Sequence, residues 1–315
     1  MQVEKRKKYR LTGGIHTLEI KVKKDVLTPK ENRPPWLENC VRNETTSKKE
    51  PDVVKLVVNP NRYNGDIYGI NLFEESFNTI LEGLGVYCLD DYEINRADFR
   101  MDSFDPEHYH CFAKLNRLLI SMLAVTYKVR NCYRTCNLFS QEQLSVAVKN
   151  RDFEIENYDK NSESHGMDLA QSRLEERSKR GLGYDLETEF LGRWRVRWEK
   201  ALENIDAVYD RYNEELARLY HEGKDSYPQR WISHTDFILH YQDCIFSRKQ
   251  LIDLLKRMGV PEPEKKARNI KKNYKPEFFS KEDVRFAIKE ILESTRKFFD
   301  NEEVYIPVIR ELLTA

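Results

Sequence analysis

The feature that most constrains the fold of this chain is the alternation of apolar and polar residues in short runs before residue 160. This spacing occurs in LEIKV (18–22), YEINRADFRMDSF (92–104) and FEIENYDK (153–160). Successive side chains of a strand point to opposite faces of a sheet, so each run predicts a strand with one buried face. DVVKLVVNPN (52–61) is rich in β-branched residues and ends at an Asn-Pro turn, which predicts another strand.

Helical spacing separates these strands. FEESFNTILEGLG (73–85) and CFAKLNRLLISMLAVTY (111–127) predict helices, QLSVAVKN (143–150) predicts a strand, and the Pro- and Asn-rich residues 25–50 predict a loop. The resulting order is strand, strand, helix, strand, helix, strand, strand. Mixing of this kind predicts an α+β fold with a mainly antiparallel sheet and flanking helices.

Beyond residue 185 the pattern becomes helical. Residues 185–223 predict one long helix or two, and three more helices are predicted over 231–242, 247–259 and 280–299. Ser280 and Asp283 suit the N-terminal cap of the last helix. We place a domain boundary near residue 183, between an α+β domain (1–183) and a helical C-terminal domain (184–315) with a role in DNA recognition or oligomerisation.

Composition narrows the class of protein. The 315 residues are 34% charged with a formal net charge of zero, so affinity for nucleic acid has to come from local basic clusters. The chain shows neither a signal peptide nor a run of transmembrane length, and Cys132 and Cys136 lack the partners typical of a zinc site. Scattered thiols suit a reducing compartment, so we expect a cytoplasmic protein with no membrane partner.

One predicted strand carries four charged side chains on a single face: Arg96, Asp98, Arg100 and Asp102. Two carboxylates on one face suit Mg²⁺ or Mn²⁺, since hard cations prefer oxygen ligands. The alternative is a solvated strand face whose charges alternate in sign.

A second strand ends in a tyrosine with a lysine close by. Glu154, Glu156 and Tyr158 would share its open face, with Lys160 two residues beyond the tyrosine. A phenol with a pKa of about 10 needs a base or a cation before it attacks a phosphodiester. The alternative is a packing tyrosine, since the chain contains 17 tyrosines.

A third segment, SRLEER (172–177), places Arg173 and Glu175 two residues apart, which would add a carboxylate to the same face. Its alternative is a surface helix, because its residues are good helix formers. His108-Tyr109-His110 offers a further pair of metal ligands if it forms a strand, and a helix cap or loop if it does not.

Together these segments resemble the Rep_trans family of rolling-circle replication initiators. VVKLVVNPNRY, INRADFRMDSFD, FEIENYDKNSE and SRLEER occur in the order and approximate spacing of that family, over about residues 53–180. Relaxases of some integrative conjugative elements and the gene II proteins of filamentous phages look related. The chain departs from the pattern at Asn157, where the family has an apolar residue, and at Glu176, which falls on the core face.

The resemblance implies a DNA-nicking and strand-joining enzyme. Tyr158 would be the nucleophile beside Lys160, while Asp98, Asp102 and Glu175 would hold Mg²⁺ or Mn²⁺. The expected product is a 5′-phosphotyrosyl link with a free 3′-OH. Expected partners are single-stranded or hairpin origin DNA, a host helicase and polymerase, and a second copy of the chain.

Two sets of basic residues are predicted to bind DNA. The first accompanies the carboxylates: Arg96, Arg100 and Arg173. The second lies in KKARNIKKNYK and comprises Lys265, Lys266, Arg268, Lys271 and Lys272. Its alternative is an ordinary solvated helix face, and residues 5–10 (KRKKYR) form another basic segment.

Other functions fit the same sequence. A conjugative relaxase would use the same chemistry in another genetic context. A catalytically inactive homologue would keep the fold and bind DNA only. A helical interaction protein built on residues 185–223 would leave the alternating strands unexplained.

Overall fold

The computed structural model describes residues 3–46, 50–129, 145–179, 182, 185–225 and 231–302. The strands in these ranges are β1 (Thr12–Lys23), β2 (Val41–Thr46), β3 (Val53–Val58), β4 (Tyr92–Ser103), β5 (Ser145–Lys149), β6 (Phe153–Asp159) and β7 (Ser172–Ser178). The α-helices are α1 (Val3–Lys8), α2 (Leu37–Cys40), α3 (Asn61–Asn64), α4 (Ile70–Gly83), α5 (His108–Thr126), α6 (Lys160–Glu163), α7 (Leu186–Glu203), α8 (Ile205–Lys224), α9 (His234–His240), α10 (Arg248–Arg257), α11 (Pro263–Tyr274) and α12 (Lys281–Phe299). The cysteine pair Cys132 and Cys136 lies outside the described residues.

The elements group into two compact units, each drawn from separate stretches of the chain. The first unit takes its described residues from Met1–Tyr9, Glu107–Lys149 and Arg197–Ile288. The second takes them from Arg10–Pro106, Asn150–Val196 and Lys289–Ala315. The division into functional domains over 1–183 and 184–315 stays a prediction.

The second unit contains six strands that form an antiparallel sheet, in the order β2-β3-β1-β4-β7-β6. Helices flank the sheet, so the predicted α+β class with a mainly antiparallel sheet is confirmed. The strands predicted over 18–22, 52–61 and 92–104 appear as β1, β3 and β4. The helices predicted over 73–85 and 111–127 appear as α4 and α5.

The prediction of a loop over residues 25–50 is wrong for the second half of that stretch. That stretch forms α2 and β2, and β2 pairs antiparallel with β3. β2 is an edge strand with no buried side chain on either face. Without a buried face it shows no apolar alternation, so its position is set by pairing with β3.

The Arg-x-Glu segment is a strand, and its surface-helix alternative is wrong. β7 lies between β4 and β6 and is hydrogen-bonded to both. The helix propensity of its residues is a weak local preference, which pairing on both edges of the strand overrides.

The core face of the sheet in the second unit is aromatic and aliphatic. Phe99 and Met101 on β4 are buried, and the Phe99 ring stacks on Phe190 with 3.6 Å between ring centroids. Phe73 of α4 meets Phe298 of α12 edge to face. Because apolar and aromatic side chains cover this face of the sheet, the polar side chains of the same strands lie on the opposite face.

The first unit is mainly helical. Residues 185–223 form two helices, α7 and α8, which separate at Asn204; α8 belongs to this unit, together with the part of α7 from Arg197 onward. The predicted cap of α12 is confirmed: Ser280 Oγ accepts the Asp283 N–H at 3.2 Å, and Asp283 accepts the Ser280 N–H at 2.9 Å. Over the described ranges, no helix combines the length and the apolar character that a bilayer crossing demands.

The strand alternative for His108-Tyr109-His110 is wrong, because α5 begins at His108. His108 is buried against the rings of Tyr9 and Phe112, whereas His110 is exposed. Residues two apart on a helix do not face each other, so this pair is not a ligand pair.

The basic segment at residues 5–10 belongs largely to α1, and two of its cations, Lys5 and Arg6, form ion pairs within the first unit. Lys5 pairs with Glu277, and Arg6 donates to Asp283 at 2.7 Å. Cations bound to carboxylates in this way are poorly placed to neutralise phosphates.

Candidate active site on the polar face of the sheet

The polar face of the sheet collects charged residues from three adjacent strands. Across β4 and β7, the register places Asp98 opposite Arg177, Arg100 opposite Glu175 and Asp102 opposite Arg173. Across β6 and β7, it places Glu154 opposite Arg177, Glu156 opposite Glu175 and Tyr158 opposite Arg173. The predicted strand-borne site residues therefore share one face, and their chemical roles stay predictions.

Tyr158 is hydrogen-bonded to a carboxylate on the neighbouring strand. Its phenol donates to Glu175 Oε2 at 3.0 Å, and the tyrosine keeps partial exposure to solvent. Burial, followed by the negative charge of Glu175, raises the pKa of the Tyr158 phenol well above its ordinary value. The phenol is therefore protonated at neutral pH, and Glu175 is placed to receive its proton.

Glu175 is itself buried and surrounded by nitrogen groups. Arg177 Nε donates to Glu175 Oε1 at 3.0 Å, and His16 Nδ1 lies 4.0 Å from Oε2. Burial acts to raise the pKa of Glu175, but the positive charges of Arg177 and Arg173 and the hydrogen bond from Tyr158 outweigh it and leave the pKa below its usual value. An ionised acceptor beside a protonated phenol is the arrangement that general-base activation requires.

His16 reaches this site through a β-bulge that the sequence did not reveal. The pairing of β1 with β4 shifts between Ile15 and Thr17, which leaves His16 as the extra residue. Burial lowers the pKa of His16 to about 4, so its imidazole is neutral at neutral pH. The only signal in the sequence was the loss of apolar alternation in TGGIHT (12–17).

Asn61, just after the Asn-Pro turn, fixes the bulge. Its Nδ2 donates to the carbonyl oxygens of Ile15 and His16, both at 2.9 Å. Its Oδ1 accepts from the Ile67 N–H at 2.9 Å and from Arg100 at 3.0 Å. Four hydrogen bonds from one buried side chain tie the turn after β3 to the polar face.

Asp102 and Arg173 form a buried, two-point ion pair. Arg173 donates to Asp102 through Nε at 2.6 Å and Nη2 at 3.0 Å, and both side chains are sealed from solvent. Burial acts to raise the pKa of Asp102, but Arg173 and Arg100 together lower it. Arg173 lies opposite Tyr158 across β6 and β7, so the Asp102–Arg173 ion pair is next to the phenol.

The Arg100 guanidinium is also engaged in contacts with neighbouring side chains. It donates to Asp66 at 2.6 Å and to Asn61 at 3.0 Å, and its guanidinium lies 4.7 Å from the centre of the Tyr68 ring. Arg100 and Arg173 are each only 1% exposed, so neither guanidinium is open to a DNA phosphate as placed. Arg96 is more open and forms an ion pair with Asp98, with 2.8 Å between Nε and Oδ1.

Asp98 is buried under these partners. Thr17 donates a hydrogen bond to its Oδ2. Burial raises the pKa of Asp98 to about 6, although Arg96 acts to lower it and Glu175 acts to raise it further. Asp98 and Glu175 thus share one surface and repel each other.

The three carboxylates predicted to hold a metal ion are not assembled as one ligand set. Asp102 is bound by Arg173, which leaves Asp98 and Glu175, whose negative charges interact but which each lie opposite an arginine across β4 and β7. Across the described part of the chain, no group of three or more His, Cys, Asp or Glu side chains is placed to hold a metal ion. The predicted set therefore does not fit a metal as placed, and binding of Mg²⁺ or Mn²⁺ stays a prediction.

Lys160 lies at the start of α6, one residue past the end of β6. Its Nζ contacts Glu163 and lies 3.7 Å from Asp168, and it sits 5.9 Å from the centre of the Tyr158 ring. Lys160 is therefore close to the phenol, but its ammonium group also forms ion pairs with the carboxylates of Glu163 and Asp168.

Of the two departures from the family pattern, Asn157 has a visible structural role and Glu176 lies on the core face of the sheet. Asn157 is buried and donates to the Arg173 carbonyl at 3.0 Å, which joins β6 to β7. Glu176 points to the core face, opposite Phe99 and Ile155, and is fully buried there.

Comparison with known proteins gives little independent support. No protein-family model matches the chain, and no curated protein matches it. One solved structure that is similar is described as "Structure of Rolling Circle Replication Initiator Protein from Geobacillus stearothermophilus". The two chains are 13% identical, with 74% of this chain and 96% of the other covered, at a TM-score of 0.30. A likeness at that TM-score carries no weight for the activity of this chain.

Proposed function

We propose that this protein is a DNA strand transferase that nicks and rejoins one DNA strand through Tyr158. The observation that carries the proposal is the hydrogen bond from the Tyr158 phenol to Glu175, on a polar sheet face where the tyrosine keeps access to solvent. The motif resemblance to the Rep_trans family supports the same chemistry, with single-stranded or hairpin origin DNA as the substrate.

The first step is activation of the phenol. Glu175 accepts the phenolic proton as the Tyr158 oxygen approaches phosphorus, because burial and the Glu175 charge keep the free phenolate unfavourable. Arg177 and Arg173 hold Glu175 ionised before the reaction. The proton moves only as the new bond forms, which avoids a buried phenolate facing a carboxylate.

The second step transfers the strand. The Tyr158 oxygen forms a bond to phosphorus while the bond from phosphorus to the 3′ oxygen breaks. The products are a 5′-phosphotyrosyl link and a 3′-OH, which takes up the proton. Attack by a 3′-OH in the reverse sense rejoins the strand. The phosphodiester energy is conserved in the covalent link, so no nucleotide cofactor is needed.

A replication initiator and a conjugative relaxase would share these steps. A requirement for Mg²⁺ or Mn²⁺ is implied only by the family resemblance, because Asp102 is bound by Arg173 and Glu175 accepts the hydrogen bond from Tyr158. A host helicase, a polymerase and a second copy of the chain are the partners proposed for the initiator role.

The decisive experiment looks for a covalent adduct. The full chain is incubated with Mn²⁺ and labelled single-stranded DNA from its own genetic element, and the products are separated under denaturing conditions. We expect a labelled protein band, and mass spectrometry should place the nucleotide on Tyr158. Tyr158→Phe should abolish the band.

A matched control is Tyr87→Phe, which removes a hydroxyl from a tyrosine that is 78% exposed. This variant should form the adduct at the wild-type level. A band that persists in Tyr158→Phe assigns the nucleophile to another residue. Absence of adduct with every strand tested, despite DNA binding, would support the inactive DNA-binding homologue instead.

A further inference from the structure

Two helices of the first unit are joined in the manner of a helix-turn-helix. α10 ends at Arg257, a five-residue connection follows over 258–262, and α11 begins at Pro263. Gly259 has φ +71°, a conformation that glycine adopts without strain, and it turns the chain between the helices. Pro263 at the first helical position suits the start of α11.

α11 is anchored by a narrow apolar stripe. Ala267 and Ile270 are its buried residues, and Val260 is buried in the connection. On α10, Leu251 and Leu254 are also buried. With only two buried positions in 12 residues, most of the circumference of α11 faces solvent.

The exposed side of α11 carries four basic residues, and three of them have no carboxylate partner among the described residues. Its exposed basic residues are Lys265, Arg268, Lys271 and Lys272, with Asn269 and Asn273 exposed among them. Lys265 pairs with Glu262 at 2.9 Å. Within the part of the chain that the structure describes, no ion pair is found for Arg268, Lys271 or Lys272. This differs from α1, whose Lys5 and Arg6 are bound to carboxylates.

We propose that α10 and α11 form a helix-turn-helix that places α11 in the major groove of duplex DNA. A helix with its side chains is about 10–12 Å wide and the groove is about 12 Å wide, so a helix exposed over most of its surface fits. Arg268 and Asn269 carry the groups that recognise guanine and adenine edges, while Lys271 and Lys272 suit phosphates.

The composition of this face favours duplex over single-stranded DNA. Binding of single strands relies on aromatic side chains that stack on successive bases. On the described surface of α11, Tyr274 at the C-terminal end is the one exposed aromatic residue. The proposal extends the proposed function, since it names duplex DNA as the ligand of a second site, but it is tested by binding alone.

The experiment measures duplex binding by the full chain carrying Tyr158→Phe, so that cleavage does not interfere. A duplex is first selected from a random-sequence pool, and its affinity is then measured by fluorescence anisotropy over a range of salt concentrations. Arg268→Ala with Lys272→Ala should weaken binding at least about tenfold, and loss of the Lys272 phosphate contact should make the slope of log affinity against log salt shallower by roughly 1.

Two further variants make the outcome specific. Lys200→Ala with Lys224→Ala removes the same charge from exposed positions of α7 and α8, and it should change affinity by less than about threefold. Arg268→Lys keeps the positive charge but loses the planar guanidinium that can donate two parallel hydrogen bonds to guanine. The slope of log affinity against log salt should therefore be unchanged, while the preference for the selected duplex over a scrambled one should decrease.

Three results would overturn the proposal: unchanged affinity in the Arg268 and Lys272 double variant, an equal loss in the control, or tighter binding of the single strand by the same face. The proposed function fails separately, through an adduct that persists in Tyr158→Phe. Duplex binding lost with adduct formation intact, or the reverse, therefore distinguishes the two.

Discussion

The phenol oxygen of Tyr158 and the Oε2 oxygen of Glu175 lie 3.0 Å apart on adjacent strands, with the phenol as donor. This contact gives a tyrosine of raised pKa a built-in acceptor for its proton. The contact also distinguishes Glu175 from a carboxylate that only stabilises the fold, because a structural carboxylate need not accept a hydrogen bond from the nucleophile.

Glu175→Gln keeps a hydrogen-bond acceptor but removes the base. We expect the single-turnover rate of adduct formation to fall by about 10²–10⁴, the usual contribution of a positioned general base. Circular dichroism should show the wild-type fold. Glu93→Gln, which changes an exposed carboxylate on the neighbouring strand β4, serves as the control and should react at the wild-type rate. A wild-type rate in Glu175→Gln would remove Glu175 from the chemistry.

Asp98 makes stability depend on pH. Its pKa is raised from about 4 in the unfolded chain to about 6 in the folded protein, so the folded state binds this proton more tightly between those values. The contribution of Asp98 to the free energy of unfolding therefore decreases as pH rises from 4 to 6. About two pKa units correspond to roughly 3 kcal/mol at most.

Asp98→Asn removes this proton linkage. Urea unfolding should find the variant more stable than the wild type at pH 7, with the difference shrinking towards pH 4. Asn keeps an acceptor for Thr17, so the local hydrogen bond survives. A difference that is constant across this pH range contradicts the raised pKa.

The buried Asp102–Arg173 pair should dominate the stability of the polar face. Asp102→Ala leaves the Arg173 guanidinium buried without its two-point partner, and we expect a loss of about 3–5 kcal/mol in the free energy of unfolding. Adding Arg173→Met should recover part of that loss. Arg218→Ala, which breaks an exposed pair with Glu215, should cost at most about 1 kcal/mol.

Removal of metal tests whether adduct formation requires a divalent cation. Dialysis of the protein against a chelator should abolish the Tyr158 adduct, and added Mn²⁺ or Mg²⁺ should restore it. Asp98→Asn should raise the metal concentration needed for half-maximal yield. Full adduct formation in the chelator would end the metal prediction while leaving the role of Tyr158 intact.

Local patterns were sufficient for much of the fold. β1, β3, β4, α4 and α5 follow directly from the spacing of apolar residues. The edge strand β2 was missed because it buries neither face, and β7 was ambiguous because its residues also favour a helix. β7 is held by β4, a partner distant in sequence, whereas β2 pairs with the nearby β3 and gives no local signal because it lacks a buried face.

For the candidate site, the sequence by itself determined which side chains share a strand face, since alternation fixes that geometry for Asp98, Arg100 and Asp102. Only the tertiary structure decided what each one contacts. It joined Asp102 to Arg173, added His16 through a bulge, and placed Glu175 against Tyr158. Strand register and bulges depend on contacts between different segments of the chain. The sequence pattern of a charged strand face is therefore the same whether its residues bind one another or a substrate.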